Sequence, residues 1–318
     1  MSNPVRWGIM GTGGIAGAFA TDLKLTDSGT VVAVGSRSQA SADRFADAIG
    51  IERRHASYED LAADPDVDAV YVATPHPLHH PNALLALRAG KPVLVEKPFT
   101  MNAGEARELV KVARDNNVFL MEAMWTRFLP GIRHVRELIG GIGDVVTVTA
   151  DHGQWFAEDA EHRLFAPALG GGALLDLGVY VVSFASMVLG APSKIVSMVD
   201  PAFTGVDGQT SMILGYGSGA QAVLTCTLRA KSPTRAAIVG TDGRIEIDGP
   251  FYAPATVTLT PRDGEPTVFE SVHEGSGLRH EADEVALRLA AGDTESPLMP
   301  LDETISIMET MDTVLAQA

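Results

Sequence analysis

The sequence contains very few cysteines and few basic residues. Cys226 is the single cysteine among 318 residues, which excludes an intrachain disulfide and a cysteine-rich metal site. It lies in the strand-like run 222–228, so we expect a small, buried hydrophobic side chain. Lys and Arg number 24 against 40 Asp and Glu, a net charge of −16. This balance disfavours nucleic acid or an anionic membrane as a partner.

The sequence also has little that would reach or cross a membrane. The nearest candidate for a membrane span, 173–191, contains Asp176, which would cost about 2.5–3.5 kcal/mol at the centre of a bilayer. We therefore expect this segment to be a helix buried inside the protein. The initial Met-Ser-Asn-Pro runs directly into a strand without a signal-peptide pattern, so we expect a cytoplasmic protein.

The first strand ends in a glycine-rich turn. Residues 5–16 read VRWGIMGTGGIA, an apolar strand followed by Gly11-x-Gly13-x-x-Ala16 at the start of a helix. In this context the pattern is typical of dinucleotide binding. Gly11 permits a tight turn, Gly13 lets the backbone approach a pyrophosphate, and Ala16 allows close packing of the helix on the strand. The phosphates are expected at the free N–H groups of the helix that begins near Gly14.

The second strand ends in residues that suit a phosphorylated ribose. The run 30–35 is followed by Ser36, Arg37 and Ser38. Dinucleotide folds place Asp or Glu here when the residue accepts a hydrogen bond from the 2′-hydroxyl of NAD. Two hydroxyls and a guanidinium suit a phosphate dianion instead. The pattern therefore predicts NADP in preference to NAD, although a solvated turn has a similar composition.

The pattern of strands and helices changes near residue 124. From residue 5 to about 123, apolar strands alternate with amphipathic helices, which predicts an α/β domain with a doubly wound parallel sheet. Beyond it, strand-like runs follow one another around one long helical segment, 172–189. This order predicts an α+β domain with an open-faced, mostly antiparallel or mixed sheet. We therefore expect two domains, 1–123 and 124–318.

Two later strands of the first domain end in polar residues. The run 74–80 reads TPHPLHH, and 96–98 reads EKP. Ligands bind at the carboxyl ends of strands in open α/β sheets, although Lys97 taken alone also suits a solvated loop. Clustered histidines can bind metal, but no carboxylate lies at ligand spacing beside the three histidines. We therefore predict no metal site.

The expected interior helix carries two polar side chains. The stretch 170–180 reads GGGALLDLGVY and places Asp176 and Tyr180 four residues apart, on one helical face. Such a pair either faces a polar ligand or forms a buried hydrogen bond that fixes the helix to the sheet. The pattern alone favours neither.

Together these motifs resemble the glucose–fructose oxidoreductase / inositol dehydrogenase (Gfo/Idh/MocA) family. The resemblance runs from residue 5 to about 315 and rests on GTGGIA at 11–16, EKP at 96–98 and GGALLDLGVY at 171–180. Three further stretches are similar to the branch of dimeric dihydrodiol dehydrogenase and NADP-dependent D-xylose dehydrogenase. They are FLMEAMWTRF at 119–128, RLFAP at 163–167 and GLRHEADE at 277–284.

The resemblance implies an NAD(P)-dependent dehydrogenase that acts on a hydroxyl of a sugar, a polyol or a trans-dihydrodiol. It implies a Rossmann domain for NAD(P) in 1–123 and a domain for substrate and dimerisation in 124–318. The C-terminal helix is expected to pack back toward the Rossmann domain, and the protein to form a homodimer or a higher homo-oligomer. The family's catalytic positions correspond to Lys97, Asp176 and Tyr180.

These three residues can support alcohol oxidation. Tyr180 would take the hydroxyl proton, but a free tyrosine has a pKa near 10, too high for work near neutral pH. Lowering that pKa by about 2–3 units needs about 3–4 kcal/mol. One ammonium about 4 Å away supplies on the order of 4 kcal/mol, so Lys97 is sufficient. Asp176 would repel a phenolate, so we expect it to orient Lys97 or to hold a second substrate hydroxyl.

The predicted cofactor site combines the glycine-rich turn, the end of the second strand and polar residues after later strands. Its members are Gly11, Thr12, Gly13, Gly14, Ile15, Ser36, Arg37, Ser38, Thr74, Pro75, His79, Glu96, Lys97, Trp125 and Arg127. Trp125, His152, Tyr252 and Leu278 are expected to line the substrate pocket. His152 replaces an expected phenylalanine and Tyr252 a common tryptophan of the family, so the identity of the substrate does not follow from the resemblance.

Two other functions are compatible with the glycine-rich turn. Proteins of this fold also bind NAD(P) as sensors or regulators, and an enzyme with a permanently bound cofactor can catalyse other redox chemistry. A sensor has no need of Lys97, Asp176 and Tyr180 together. Their joint presence therefore favours a dehydrogenase.

Overall fold

The computed structural model describes residues 4–271 and 274–317. The chain divides into two compact units. Unit 1 comprises Met1–Phe128 and Glu274–Thr304, and unit 2 comprises Leu129–His273 and Ile305–Ala318. The sequence pattern predicted one division, at residue 123, with the C-terminal helix packing back toward the first domain; the segment assigned to unit 1 is 274–304.

Unit 1 is built on a parallel sheet of six strands in its described residues. The strands are β1 Val5–Met10, β2 Gly29–Gly35, β3 Arg53–His55, β4 Ala69–Val72, β5 Val93–Glu96 and β6 Leu120–Ala123. Their order is β3-β2-β1-β4-β5-β6, and all neighbours pair in parallel. Strands β4, β5 and β6 are buried along their whole length, as expected for a sheet with helices on both faces. The strand order reverses at β1 and β4, which is where such sheets bind ligands.

The helices that alternate with these strands are α1 Gly14–Asp22, α2 Gln39–Ile49, α3 Tyr58–Ala63, α4 His79–Arg88 and α5 Ala103–Asn116. Three of them begin with a side-chain cap. The Asn102 side chain accepts a hydrogen bond from the Glu105 backbone N–H at 3.0 Å, the arrangement of an N-cap. Ser38 and Ser57 cap α2 and α3 in the same way.

The segment 274–304 joins unit 1 through the buried carboxylate of Asp22. Asp22, 2% exposed, accepts hydrogen bonds from the backbone N–H groups of Ser276, Gly277 and Leu278 at 2.7–2.9 Å. Charge-assisted bonds of this kind are about twice as strong as neutral ones. They fix the start of the next helix, α8 from Arg279 to Ala291.

Unit 2 is built on a sheet of eight strands in the described part of the chain. The strands are β7 Val145–Gly153, β8 Lys194–Pro201, β9 Asp207–Gly215, β10 Gln221–Thr227, β11 Ala236–Gly240, β12 Gly243–Ile247, β13 Val257–Pro261 and β14 Thr267–Phe269. Their order is β14-β13-β12-β11-β7-β10-β9-β8. Strands β7 and β10 pair in parallel and the other neighbours are antiparallel. The predicted fold class is therefore confirmed in both units.

One face of this sheet is covered and the other is open. The covered face carries the core side chains of β7, β9 and β10, such as Val148, Met212 and Leu224, all buried. The remaining helices are α6 Pro130–Leu138, α7 Val179–Leu189 and α9 Leu301–Leu315, whose first turn belongs to unit 1. The segment Pro167–Leu189 is long and apolar enough to span a membrane, but 83% of its most apolar 18 residues are buried inside the protein. It contains the core helix α7, as the sequence predicted.

Candidate active site

The glycine-rich turn follows β1 at the point where the strand order reverses. Gly11 has φ +115°, and a Cβ there would lie 2.5 Å from the Ala73 carbonyl oxygen, so no other residue fits without strain. A Cβ on Gly13 or Gly14 would meet nothing within 4 Å, which leaves open space beside the backbone. Gly13 is the N-cap of α1 and has no side chain to occupy the first N–H groups.

This geometry fits a dinucleotide. The open space lies at a helix N-terminus, where backbone N–H groups and the helix dipole favour phosphate. Thr12 is half-buried, and Ile15 is 38% exposed at the first turn of α1. Ala16 is fully buried, which permits the close approach of α1 to the sheet.

The end of β2 lies beside a capped helix. Ser36 is buried, and its backbone N–H donates to the His55 carbonyl at 3.1 Å. The Ser38 hydroxyl accepts from the Ser41 backbone N–H at 3.3 Å and so caps α2. Arg37 is exposed, and its guanidinium opposes the rise that burial produces in the pKa of Tyr58. A cation and hydroxyls are therefore available where the ribose of a dinucleotide is expected.

Arg44 lies near the N-terminus of α2 and is a further cation beside the predicted ribose site. Its Nη2 donates to the Ser41 hydroxyl at 3.0 Å. It lies within α2, six residues after the Ser38 cap, and no pattern in the sequence marks it as a site residue.

His79 connects the loops that follow β4 and β5. Its ring is 1% exposed, with Nδ1 2.8 Å from the Pro98 carbonyl oxygen and Nε2 2.8 Å from that of Thr74. Burial lowers the pKa of His79 to about 4, and the positive charge of Lys97 acts in the same direction. The neutral ring carries one N–H, so it donates to one of the two carbonyls at a time. Pro75 has φ −58° and precedes the short helical turn His76–Leu78, which leads to His79.

Glu96 and Lys97 occupy the carboxyl end of β5. Glu96 is buried; its Oε1 accepts from the Tyr71 hydroxyl, and its Oε2 accepts from the Lys97 backbone N–H at 3.1 Å. Lys97 is half-buried. The structure thus brings the glycine-rich turn, Thr74, His79 and Lys97 to the carboxyl edge of one sheet.

Other predicted residues of unit 1 have structural partners. Arg127 is 1% exposed and its guanidinium pairs with the Glu303 carboxylate at 2.7 Å. Trp125 is half-buried in the same short turn, Trp125–Phe128. Leu278 is buried, and its N–H is one of the donors to Asp22. Their predicted contacts with a cofactor or a substrate stay predictions.

In unit 2, Asp176 lies in a π-helical turn. The turn spans Leu174–Gly178 and leads directly into α7; π-turns are rare and frequent at functional sites. Arg163 binds the Asp176 carboxylate with both nitrogens, Nη1 at 3.0 Å and Nη2 at 3.2 Å. These two hydrogen bonds supply the buried carboxylate with a cationic partner. Arg163 was predicted only as part of the motif at 163–167, although a buried aspartate requires a cationic or hydrogen-bonding partner.

A second carboxylate holds the start of the π-turn. Asp207 accepts from the Leu174 backbone N–H at 2.6 Å and from the Thr210 hydroxyl at 3.1 Å. Burial raises its pKa to about 6, and these hydrogen bonds oppose the rise. At neutral pH the side chain is mostly a carboxylate, which suits its role as an acceptor.

Tyr180 lies in a cluster of three rings. Its ring centroid is 5.4 Å from that of His152 and 5.0 Å from that of Tyr252, and the last two rings stack at 4.5 Å. His152 and Tyr180 are buried, at 1% and 7% exposure. The structure therefore brings two of the four predicted pocket residues to the predicted catalytic tyrosine.

Comparison with known proteins agrees with this geometry. The family model for the oxidoreductase family with an NAD-binding Rossmann fold matches residues 5–124, and that for the GFO/IDH/MocA C-terminal domain matches 132–246. The trans-1,2-dihydrobenzene-1,2-diol dehydrogenase of Xenopus laevis is 39% identical over 98% of this chain and 97% of its own. The enzyme of the same name from Mus musculus is 40% identical over 97% of this chain and 95% of its own.

Solved structures match along almost the whole chain. A 3-ketoreductase from Actinomadura kijaniata, crystallised with NADP and TDP-benzene, has a TM-score of 0.87 and 28% identity over 99% of this chain and 98% of that one. That enzyme has also been crystallised with single substitutions of one lysine and of one tyrosine. An aldose-aldose oxidoreductase from Caulobacter crescentus reaches a TM-score of 0.90 at 24% identity, over 99% and 97% of the two chains, and supports the fold alone.

The Rossmann sheet with its glycine-rich turn defines a nicotinamide-dependent oxidoreductase. The chain belongs to the GFO/IDH/MocA oxidoreductase family. The predicted family, fold class and enzyme class are confirmed.

Proposed function

We propose that the protein is an NADP-dependent dehydrogenase that oxidises a hydroxyl of a sugar, a polyol or a trans-dihydrodiol. The observation that carries this proposal is the continuous helical segment of unit 2, in which the π-turn holds Asp176 and the first turn of α7 holds Tyr180, both buried. The names of the relatives from Xenopus laevis and Mus musculus support a dihydrodiol or a similar vicinal diol. The NADP bound to the ketoreductase supports the cofactor.

The residues of unit 1 fit the cofactor that the family name implies. The backbone of Gly13 and Gly14 would hold the pyrophosphate, and Ser36, Arg37 and Ser38 would hold the ribose phosphate. When bound, the nicotinamide accepts a hydride from the carbon that bears the hydroxyl. The preference for NADP is supported by the exposed Arg37 and by the lack of a carboxylate at residues 36–38.

Tyr180 takes the proton of the substrate hydroxyl in this proposal. The phenol must ionise near neutral pH, and we assign the required positive charge to Lys97. Arg163 binds the Asp176 carboxylate with two hydrogen bonds. A carboxylate offers about four acceptor positions, so it can also accept a second substrate hydroxyl or orient Lys97. If the Asp176 carboxylate accepts a hydrogen bond from a second substrate hydroxyl, substrates with neighbouring hydroxyls are favoured.

The activity is tested by NADP+ reduction over a panel of aldoses, inositols and trans-dihydrodiols, with NAD+ in parallel. We expect turnover with NADP+ on one class, which Tyr180→Phe abolishes. Lys97→Ala should lower kcat and leave the Kd for NADPH within about threefold. Lys111→Ala, at an exposed lysine that pairs with Asp115, is the matched control. Collapse of NADPH binding in Lys97→Ala would make Lys97 a cofactor anchor, and silence over the whole panel with tight NADPH binding would favour a sensor or a retained cofactor.

We also propose that two copies associate through the open face of the unit 2 sheet. That face carries exposed apolar side chains on four strands: Val196, Met198, Ile213, Val223 and Val239. Val196 and Val223 both lie directly opposite Ile213 on neighbouring strands, so the apolar surface is continuous. Soluble monomers rarely expose such a surface.

The mass in solution tests this association. We expect light scattering to give twice the chain mass at micromolar concentration and the monomer mass for Ile213→Glu with Val223→Glu. Leu287→Glu, at an exposed leucine of unit 1, should stay dimeric. A parent protein that is monomeric at all concentrations contradicts the proposal.

We further propose a cytoplasmic location, which cell fractionation with immunodetection tests.

A further inference from the structure

His152 contacts the proposed catalytic tyrosine and has no role in the chemistry derived above. It is the penultimate residue of β7 and is 1% exposed. Its ring meets Tyr180 edge-on, at an interplanar angle of 63°, and stacks on Tyr252 at 27°. Since Tyr252 also packs against Tyr180 at 5.0 Å, the three rings form a closed contact that limits the movement of the phenol.

The hydrogen bonds of His152 select one tautomer. Its Nδ1 lies 3.2 Å from the Leu177 carbonyl oxygen, which can only accept, so Nδ1 carries the hydrogen. Its Nε2 lies 3.0 Å from Nε2 of the Gln154 side chain, which donates. The ring is therefore neutral, with the lone pair on Nε2 and the hydrogen on Nδ1.

The carbonyl that His152 binds belongs to the π-turn itself. Leu177 lies between Asp176 and Tyr180, within Leu174–Gly178. A π-turn disturbs the regular i→i−4 hydrogen-bond ladder, and side-chain donors can stabilise the disturbed carbonyls. One side chain thus holds the turn that carries Asp176 and also contacts the ring of Tyr180.

We propose that His152, as the neutral Nδ1–H tautomer, is a positioning residue that fixes the π-turn and the orientation of the Tyr180 phenol. This inference rests on the proposed function, in which Tyr180 exchanges the substrate proton. His152 acts through Tyr180 and Leu177, so its effect is on the rate of turnover more than on substrate affinity.

Two substitutions separate the ring from the hydrogen bond. His152→Phe keeps a ring against both tyrosines and loses the donor, whereas His152→Asn keeps a donor at the position of Nδ1 and loses the ring. We expect His152→Phe to lower kcat by about 10–100-fold, to change KM by less than about threefold, and to shift the pH profile of kcat/KM. His152→Asn should retain more of kcat than His152→Phe. His134→Phe, at a histidine of α6 that contacts Phe269 and Glu137, is the matched control and should leave all of these unchanged.

The tautomer is measured directly by 15N NMR of protein labelled on histidine, with the His152 signals assigned by their loss in His152→Asn. We expect a neutral ring protonated on Nδ1 at pH 7. An Nε2–H tautomer, a charged ring, or a His152→Phe variant with the parent kcat and pH profile overturns the proposal. If both His152 variants fail to fold, the His152 signals can be assigned with Gln154→Leu, which should shift the Nε2 signal most. The tautomer can then still be measured.

The tautomer measurement separates this inference from the proposed function. Full activity in Tyr180→Phe would refute the role of Tyr180 in catalysis while leaving the NMR result unchanged. Loss of activity in Tyr180→Phe together with the wrong tautomer would refute the positioning role alone.

Discussion

Glu122 provides the most quantitative test of the structure, because it is a fully buried acid at the carboxyl end of the Rossmann sheet. It is 0% exposed, and its Oε2 accepts from the Thr304 hydroxyl at 3.2 Å. Burial raises its pKa from 4.5 to about 7, against the opposing effects of Thr304 and Arg127. The folded protein therefore binds this proton more tightly than the unfolded chain does.

The sign of the pH dependence follows from that difference. A raised pKa stabilises the folded state fully below pH 4.5, and this contribution falls as the pH rises to about 7. Each pH unit in this window costs the folded state about 1.4 kcal/mol, so Glu122 alone removes on the order of 3 kcal/mol. Glu122→Gln should be free of this slope because its amide does not titrate.

Urea unfolding at several pH values between 4 and 8 measures the effect. The free energy of unfolding of Glu122→Gln, relative to the parent protein, should rise by about 3 kcal/mol across the window. Glu52→Gln, at an exposed glutamate, is the control and should follow the parent curve. A constant difference between Glu122→Gln and the parent protein at all pH values would refute the reasoning. Glu281 is also fully buried, with a pKa raised by burial and by the neighbouring Glu96, so part of the slope should persist in the variant.

Three further predictions concern the two proposed sets of site residues. Gly11→Ala places a Cβ at a residue with φ +115° and against the Ala73 carbonyl oxygen. We expect the free energy of unfolding to fall by about 1–3 kcal/mol and NADPH to bind at least tenfold more weakly in a fluorescence titration. Unchanged NADPH binding would contradict this prediction. Arg37→Ala should raise the Kd for NADPH by about 10–100-fold, the value of a charged hydrogen bond, and leave that for NADH nearly constant; equal losses for both cofactors would speak against a ribose-phosphate contact. Arg163→Leu removes both hydrogen bonds from Arg163 to the Asp176 carboxylate, so kcat/KM should fall by at least about tenfold. Arg163→Lys should restore only part of kcat/KM, and an unchanged kcat/KM in Arg163→Leu would contradict this role.

Features that depend on local backbone geometry could be predicted from the sequence. The glycine-rich turn is one, since a φ of +115° at Gly11 demands glycine whatever surrounds it. The cap of α5 at Asn102 is another, and the change from parallel to mixed sheet near residue 124 followed from the spacing of the strands. The carboxyl ends of β4 and β5 lie at one edge because parallel strands must end together, which is why Thr74 and Lys97 could be grouped in advance.

Features that depend on contacts between distant segments could not be predicted. Asp22 holds the backbone of Ser276–Leu278, and nothing in either stretch signals the other. Arg163 reaches Asp176 across a loop of irregular structure, where no periodicity fixes its direction. The four-residue spacing of Asp176 and Tyr180 predicted a shared helical face, but the same spacing does not distinguish an α-helix from the observed π-turn.

The most direct test of the central claim follows the hydride itself. A substrate from the active class in the panel, deuterated at the carbon that bears the hydroxyl, is incubated with NADP+ and the enzyme, and the reduced cofactor is examined by NMR. We predict deuterium on one face of C4 of the nicotinamide with the parent enzyme and no transfer with Tyr180→Phe. Turnover without deuterium in the cofactor, or equal transfer by Tyr180→Phe, would contradict the account.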